Sequence, residues 1–251
     1  MALHSERAGT GPRVVLVHGF TQTNRCWGPI AAELEADHEV VRVDAPGHGA
    51  SADVEAGLRD GAGLIGDSGG LATYVGYSMG ARFCLHLALA QPSRVRALVL
   101  IGGTAGIESR AERAARREQD LRTAQRIAAQ GLEAFLDGWL DQPLFATLPP
   151  EAACREERLA NTVRGLQSSL VRAGTGSQEP LWDQLPGLSM PVLVVAGERD
   201  AKFAAIGERM AAAIGANATL ALVPDAGHTA HLEQPAAFLS ILRPWLATHD
   251  L

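Results

Sequence analysis

The chain has 251 residues, 47% hydrophobic and 20% charged, the balance of an ordinary globular protein that can bury one large core without staples. A formal charge of −6 argues against nucleic acid, which demands a concentrated basic face to displace counterions from phosphate. No segment approaches the roughly 20 consecutive apolar residues needed to cross a bilayer, so no membrane insertion is expected.

Met1 to Pro12 lacks the basic stretch and apolar run of a secretory signal. Three scattered cysteines, Cys26, Cys84 and Cys154, show neither disulfide pairing nor metal-ligand spacing, so a reducing cytoplasm, no metal and no cofactor are expected. A monomer is the expected state.

The first apolar run, Arg13 to Val17, reads as a strand, followed directly by His18-Gly19-Phe20. That placement offers the Phe20 N–H as an oxyanion donor, the alternative being a turn glycine beside a packed histidine. A second strand, Val40 to Val43, leads into Asp44-Ala45-Pro46-Gly47-His48-Gly49, a tight structural turn in which His48 fixes the loop. Asp53 to Gly70 holds six glycines, each weakening a helix by about 1 kcal/mol relative to alanine, so only a short, poor helix is expected there.

The third strand, Thr73 to Gly76, runs into Gly76-Tyr77-Ser78-Met79-Gly80, and Ala81 to Gln91 then reads as a buried helix ended by Pro92. This is the strand–turn–helix setting of the GxSxG nucleophile elbow, with the Met79 N–H as second oxyanion donor. After a fourth strand, Ala97 to Ile101, no strand candidate appears from 108 to 178. This stretch holds ten arginines against ten acids, leaving 12 bases and 18 acids elsewhere. Its first helix, near Ser109 to Gln130, should stop at Gly131, a second ends before Pro143, and a third leads to Gly174-Thr175-Gly176.

A fifth strand, Val192 to Ala196, precedes Gly197-Glu198-Arg199-Asp200, and a last one, Thr219 to Val223, precedes Asp225-Ala226-Gly227-His228. A catalytic serine needs a base and a group to orient that base. In the α/β-hydrolase order the acid follows the serine and the histidine comes last. Ser78, Asp200 and His228 fit, with Glu198 as the fallback acid; His231 should point elsewhere, and Asp225 is too near His228 to serve it. Continuous Val/Leu/Ile runs predict a mostly parallel central sheet with helices on both faces. The fold class is therefore α/β, an α/β-hydrolase fold with a helical lid: 1–107 and 179–251 as one core domain, 108–178 as the cap.

The motifs HGF, DAPGHG, GYSMGAR, GERDAKF and AGHTAHLEQP, with lid segments GGTAGIESRAERAARREQD, WLDQPLFATL and RAGTGSQEPLW, resemble the menaquinone-pathway succinyl-hydroxycyclohexadiene-carboxylate synthases. The likeness spans nearly the whole chain. It implies a lyase that eliminates pyruvate from a cyclohexene bearing a succinyl group, with Ser78 acting as a base rather than a covalent nucleophile. It also implies a small anionic substrate held by Arg82, Arg116 and Lys202, with Tyr77 and Trp139 lining the pocket. The connector 53–70 and Ala81, where the family often has glycine, depart from the pattern.

The residues themselves give partial support. Arg82 sits in the first turn of its helix, where the dipole disfavours a cation by about 0.3–1 kcal/mol unless an anion is present. Lys202, the only lysine beside 21 arginines, also opens a helix. Both side chains could instead extend into solvent, Arg116 could pair with Glu112 one turn earlier, and Trp139 and Phe145 could be lid core. The alternative activities are a serine esterase or carbon–carbon bond hydrolase using the same triad, or a binding protein without catalysis.

Overall fold

The computed structural model describes residues 2–251. Seven strands, β1 (Ser5–Ala8), β2 (Arg13–Val17), β3 (Glu39–Val43), β4 (Ala72–Tyr77), β5 (Val95–Ile101), β6 (Val192–Gly197) and β7 (Ala218–Val223), form one sheet in the order β1-β3-β2-β4-β5-β6-β7. Only β1 is antiparallel to its neighbour, pairing Ser5 with Val43 through Ala8 with Val40. It went unread in the sequence because it is short, polar and at the edge, where a strand is supported by one partner and carries no apolar run.

The helices in chain order are α1 (Gly28–Leu34), α2 (Leu58–Gly69), α3 (Met79–Ala90), α4 (Arg110–Gln130), α5 (Leu132–Leu140), α6 (Arg155–Arg158), α7 (Val163–Ala173), α8 (Ala201–Ile214), α9 (Ala230–Glu233) and α10 (Pro235–Thr248). Alternate residues of β2 go to opposite faces of the sheet. Val15 and Val17 join Ile65 of α2, Phe83 of α3 and Met210 of α8. Val14 and Leu16 join Ile30 of α1 and Phe238 and Leu242 of α10. Because both faces are covered, the strand has no polar face to show, which is why its sequence is an unbroken apolar run.

The connector before β4 is a full helix, α2, and not the short, poor one its glycines suggest. Its glycines are contact points. A Cβ at Gly61 would strike the Phe83 ring, and one at Gly66 the Leu87 side chain, so α2 lies against α3 at a distance that only a bare backbone reaches. Tertiary contact with α3 thus outweighs poor local propensity.

Between β5 and β6 the chain forms α4 to α7 with no strand. Ser109 caps α4 by accepting the Glu112 N–H at 3.3 Å, and the helix ends at Gly131, whose φ of 77° a side chain rarely adopts. Ala124 and Ile127 of α4, Phe135 and Leu136 of α5, and Leu166 and Leu170 of α7 form a small core of their own. No helix of the described residues is long and apolar enough to cross a membrane.

Candidate active site

Ser78 sits between β4 and α3 with φ of 51° and ψ of −103°, a strained conformation for a residue with a side chain. The flanking glycines make that turn possible: a Cβ at Gly76 would strike the backbone of Gly80, and one at Gly80 the carbonyl of Val17. The Ser78 N–H is anchored on the Ile101 carbonyl at 2.8 Å, so the turn is fixed to β5 while the hydroxyl faces the cavity.

His228 Nε2 lies 3.3 Å from Ser78 Oγ, and His228 Nδ1 lies 2.8 Å from Asp200 Oδ2. The other Asp200 oxygen accepts the Phe203 N–H at 3.2 Å, so the carboxylate is held from both sides. Three residues far apart in sequence, at the ends of β4, β6 and β7, thus meet in one hydrogen-bonded chain. The Phe203 ring lies 4.4 Å from the imidazole and the Tyr77 ring 5.5 Å, which encloses His228. Glu198 is turned away, accepting the Asp225 N–H at 3.3 Å, and Asp225 pairs with Arg199. His231 is buried against Trp27 and Tyr77, and desolvation, then the neighbouring His228, lowers its pKa to about 3.

Neither the Phe20 N–H nor the Met79 N–H finds a protein acceptor among the described residues, and both residues line the cavity with Ser78. The loop carrying Phe20 is built by two buried histidines. His18 bonds the Gly19 carbonyl through Nδ1 at 2.8 Å and accepts the Ala45 N–H at Nε2 at 3.1 Å. His48 does the same with the Pro46 carbonyl at 3.0 Å and the Thr21 N–H at 3.3 Å. Only a neutral ring can donate from one nitrogen and accept at the other. Burial accordingly pushes His18 down to about 4 and His48 to about 3, the latter with help from His18. His18 is therefore a packed histidine, and it holds the loop whose Phe20 lines the cavity with Ser78.

The cavity of about 220 Å³ is lined by Ser78, His228, Tyr77, Trp139, Phe145 and four cationic residues, Arg82, Arg116, Arg158 and Lys202. Arg82 is 7% exposed and donates from Nη1 to the Ala173 carbonyl at 2.7 Å, with no carboxylate in ion-pair range among the described residues. Desolvation, then the charge of Arg116, lowers its pKa to about 10, with Asp120 opposing. The reading that Arg82 extends into solvent is thereby corrected: α3 is buried all along this face.

Arg116 pairs with Asp120 at 2.8 Å, not with Glu112. Asp120 is buried and its second oxygen accepts the Gly176 N–H at 2.9 Å, so it presents a fixed carboxylate, whereas Glu112 lies at the exposed start of α4. Lys202 is exposed at the cavity rim, 5.6 Å from the Phe203 ring centre and in no ion pair among the described residues. Trp139 stacks with Phe135 at 5.8 Å and meets the Phe20 ring at 5.1 Å, and its buried indole N–H has no acceptor. It is both lid core and cavity wall. Tyr77 lines the cavity with its ring, but its hydroxyl is engaged by Thr229 at 3.0 Å.

Sequence reasoning missed Arg158. It is 1% exposed and reaches from α6 to the Phe20 carbonyl at 3.5 Å, the Ala153 carbonyl at 2.7 Å and the Thr21 hydroxyl, while its second terminal nitrogen has no partner. Set among Arg155, Glu156 and Glu157, it reads as one charge of a solvated helix; no sequence signal marks it as buried.

The chain matches the model of the alpha/beta hydrolase family over residues 14–241. The 2-succinyl-6-hydroxy-2,4-cyclohexadiene-1-carboxylate synthase of Enterobacter sp. (strain 638) is 33% identical over 92% of this chain and 90% of its own. The enzyme of that name from Klebsiella pneumoniae is 33% identical over 94% of each chain. Among solved structures, MenH from S. aureus superposes with a TM-score of 0.91 at 28% identity over 99% of both chains. A thermophilic esterase from Thermogutta terrifontis, solved with malate bound, gives 0.87 at 26% identity over 99% of this chain and 94% of that one. With relatives of this identity covering more than nine-tenths of its length, the chain belongs to the alpha/beta hydrolase family and, within it, to the 2-succinyl-6-hydroxy-2,4-cyclohexadiene-1-carboxylate synthases.

Proposed function

We propose that this enzyme eliminates pyruvate from 2-succinyl-5-enolpyruvyl-6-hydroxy-3-cyclohexene-1-carboxylate to give 2-succinyl-6-hydroxy-2,4-cyclohexadiene-1-carboxylate, with Ser78 as the base. The observation that carries this reading is the presence beside Ser78 of two buried guanidinium groups, Arg82 and Arg158, without carboxylate partners. A desolvated cation held only by carbonyls and hydroxyls is costly until an anion arrives, and this substrate brings three carboxylates. Arg116 and Lys202 complete the anion-binding set, and Trp139 and the Tyr77 ring form the apolar wall. Residues 108–178 act as the cap that supplies Arg116, Trp139 and Arg158.

In the reaction, His228 takes the Ser78 proton, and Asp200 stabilises the imidazolium that forms. Ser78 Oγ removes the proton from ring carbon C2, which is acidic because it lies beside the succinyl ketone. The electron pair forms C2=C3, the C3=C4 pair moves to C4=C5, and the C5–O bond breaks. The leaving enolate of pyruvate takes up the proton held by the His228 imidazolium, which returns the imidazole to its neutral form, and ketonises to pyruvate. Charge that gathers on the ketone oxygen is met by the Phe20 and Met79 N–H groups, a pre-aimed pair of which each member is worth about 3 kcal/mol of barrier. No water is consumed. Incubation with the substrate should release pyruvate in step with the appearance of the conjugated diene; absence of both removes this reading.

The likeness to the esterase favours one rival, a hydrolase in which Ser78 is a covalent nucleophile. An acyl-enzyme mass shift on Ser78 during turnover would support it over the lyase.

A further inference from the structure

The segment carrying His228 also holds a buried carboxylate without a cationic partner. Glu233, the last residue of α9, is 8% exposed, and no arginine, lysine or histidine among the described residues lies within ion-pair distance of it. Its Oε2 accepts the Gly227 N–H at 2.6 Å and its Oε1 the Thr229 N–H at 2.9 Å. Those two amides bracket Gly227 and His228.

We propose that Glu233 is a positioning residue for His228. The direction in which a side chain leaves the backbone is set by the peptide planes around it. Here one plane enters Gly227, a residue with unusual backbone freedom, and another leaves His228. One carboxylate holds both, so the freedom of Gly227 is not passed on to the imidazole. A second constraint acts on the same point: the Tyr77 hydroxyl bonds Thr229 Oγ1 at 3.0 Å. Of the two amides only that of Thr229 belongs to the cap of the short helix α9, and the shorter bond goes to Gly227, outside the helix. The need for such a clamp follows from the triad's tolerance, since a misplacement of about 1 Å in a reacting group costs on the order of 100-fold in rate.

This inference rests on the triad part of the proposed function and not on the identity of the substrate. The test is Glu233→Gln, which keeps the shape but sets an amide N–H₂ against one of the two backbone N–H groups. Expected are a fall in kcat of roughly 10- to 100-fold, a KM within about 3-fold of wild type, retained cooperative melting, and a shifted or broadened downfield proton NMR signal from His228 Nδ1–H in the free enzyme. A kcat within about 2-fold of wild type with that signal unmoved overturns the proposal. So does an activity loss accounted for by unfolding, with the signal of the folded fraction unmoved. Should the variant not fold, hydrogen exchange on the wild type decides: protected Gly227 and Thr229 amides are expected, and free exchange at both overturns it. His228→Ala separates the two readings. If it stays active, the triad reading fails; if it is dead while Glu233→Gln is fully active, only the role of Glu233 falls.

Discussion

Arg82 concentrates the energetics of the site in one side chain. Its guanidinium is buried against carbonyl oxygen and another cation, so it destabilises the empty protein relative to an apolar side chain of similar volume. In the proposed reaction, a substrate carboxylate offsets that cost. Arg82→Met should therefore lower kcat/KM on the order of 100-fold, as expected for loss of about 3 kcal/mol in a charge-assisted hydrogen bond, while the melting temperature stays level or rises. Turnover of a substrate analogue with its carboxylates neutralised should hardly change; a parallel loss there would contradict charge recognition. Ser78→Ala should abolish pyruvate release by at least about 10³-fold and leave the melting temperature within a few degrees, since the hydroxyl's one side-chain partner is His228. Arg82 was legible in the sequence because it follows Ser78 of the GxSxG turn by one helical turn. Arg158 was not, because its burial is created by the Phe20 loop packing onto α6.

At the scale of elements, α2 shows how glycine content misleads when only local propensity is weighed. Gly61 and Gly63 stand on the same helix two residues apart, yet they face different surroundings. A Cβ at Gly61 meets the Phe83 ring, while one at Gly63 meets only the end of the Gln91 side chain at 3.8 Å. Gly63→Ala should stabilise the protein by about 0.5–1 kcal/mol through helix propensity. Gly61→Ala should destabilise it by about 1–3 kcal/mol through overpacking. Urea unfolding of both variants gives the two signs directly, and equal effects would mean that α2 does not rest on α3 as described. In the cap, Asp120 ties Arg116 of α4 to the turn at Gly176 after α7. The helices flanking the cavity are thus joined by a carboxylate that also sets the direction of the Arg116 guanidinium.

For the whole molecule, pH is the informative variable, because buried neutral histidines pack around the site. His18, His48 and His231 have folded pKa values of about 4, 3 and 3 against 6.5 in the unfolded chain, burial being the largest cause in each. Below pH 6.5 the unfolded chain takes up protons that the native state refuses. The stability these groups confer is complete above that pH and declines as pH falls toward 4, each contributing a slope of up to about 1.4 kcal/mol per pH unit. The urea midpoint should drop steadily from pH 7 to pH 5, and a flat profile would show that these rings are not buried neutral. Glu39, Glu55 and Glu108, whose pKa values are lowered by hydrogen bonds to arginine, lose their contributions only at more acidic pH, so the two effects separate.

Periodicity and punctuation in the sequence determined the six apolar strands, the extent of α4 from Ser109 to Gly131, the GxSxG turn, and the order of serine, acid and histidine. These are local properties: a strand buried on both faces must be apolar throughout, a helix needs a cap and a stop, and a strained turn needs glycine. Tertiary structure decided what depends on a partner distant in the chain. It paired polar β1 with β3, made a full helix of glycine-rich α2, gave Arg116 to Asp120, and buried Arg158 beside the Phe20 loop. The physical reason is that burial and pairing belong to the assembled surface, where a residue's neighbours in space outweigh its neighbours in sequence.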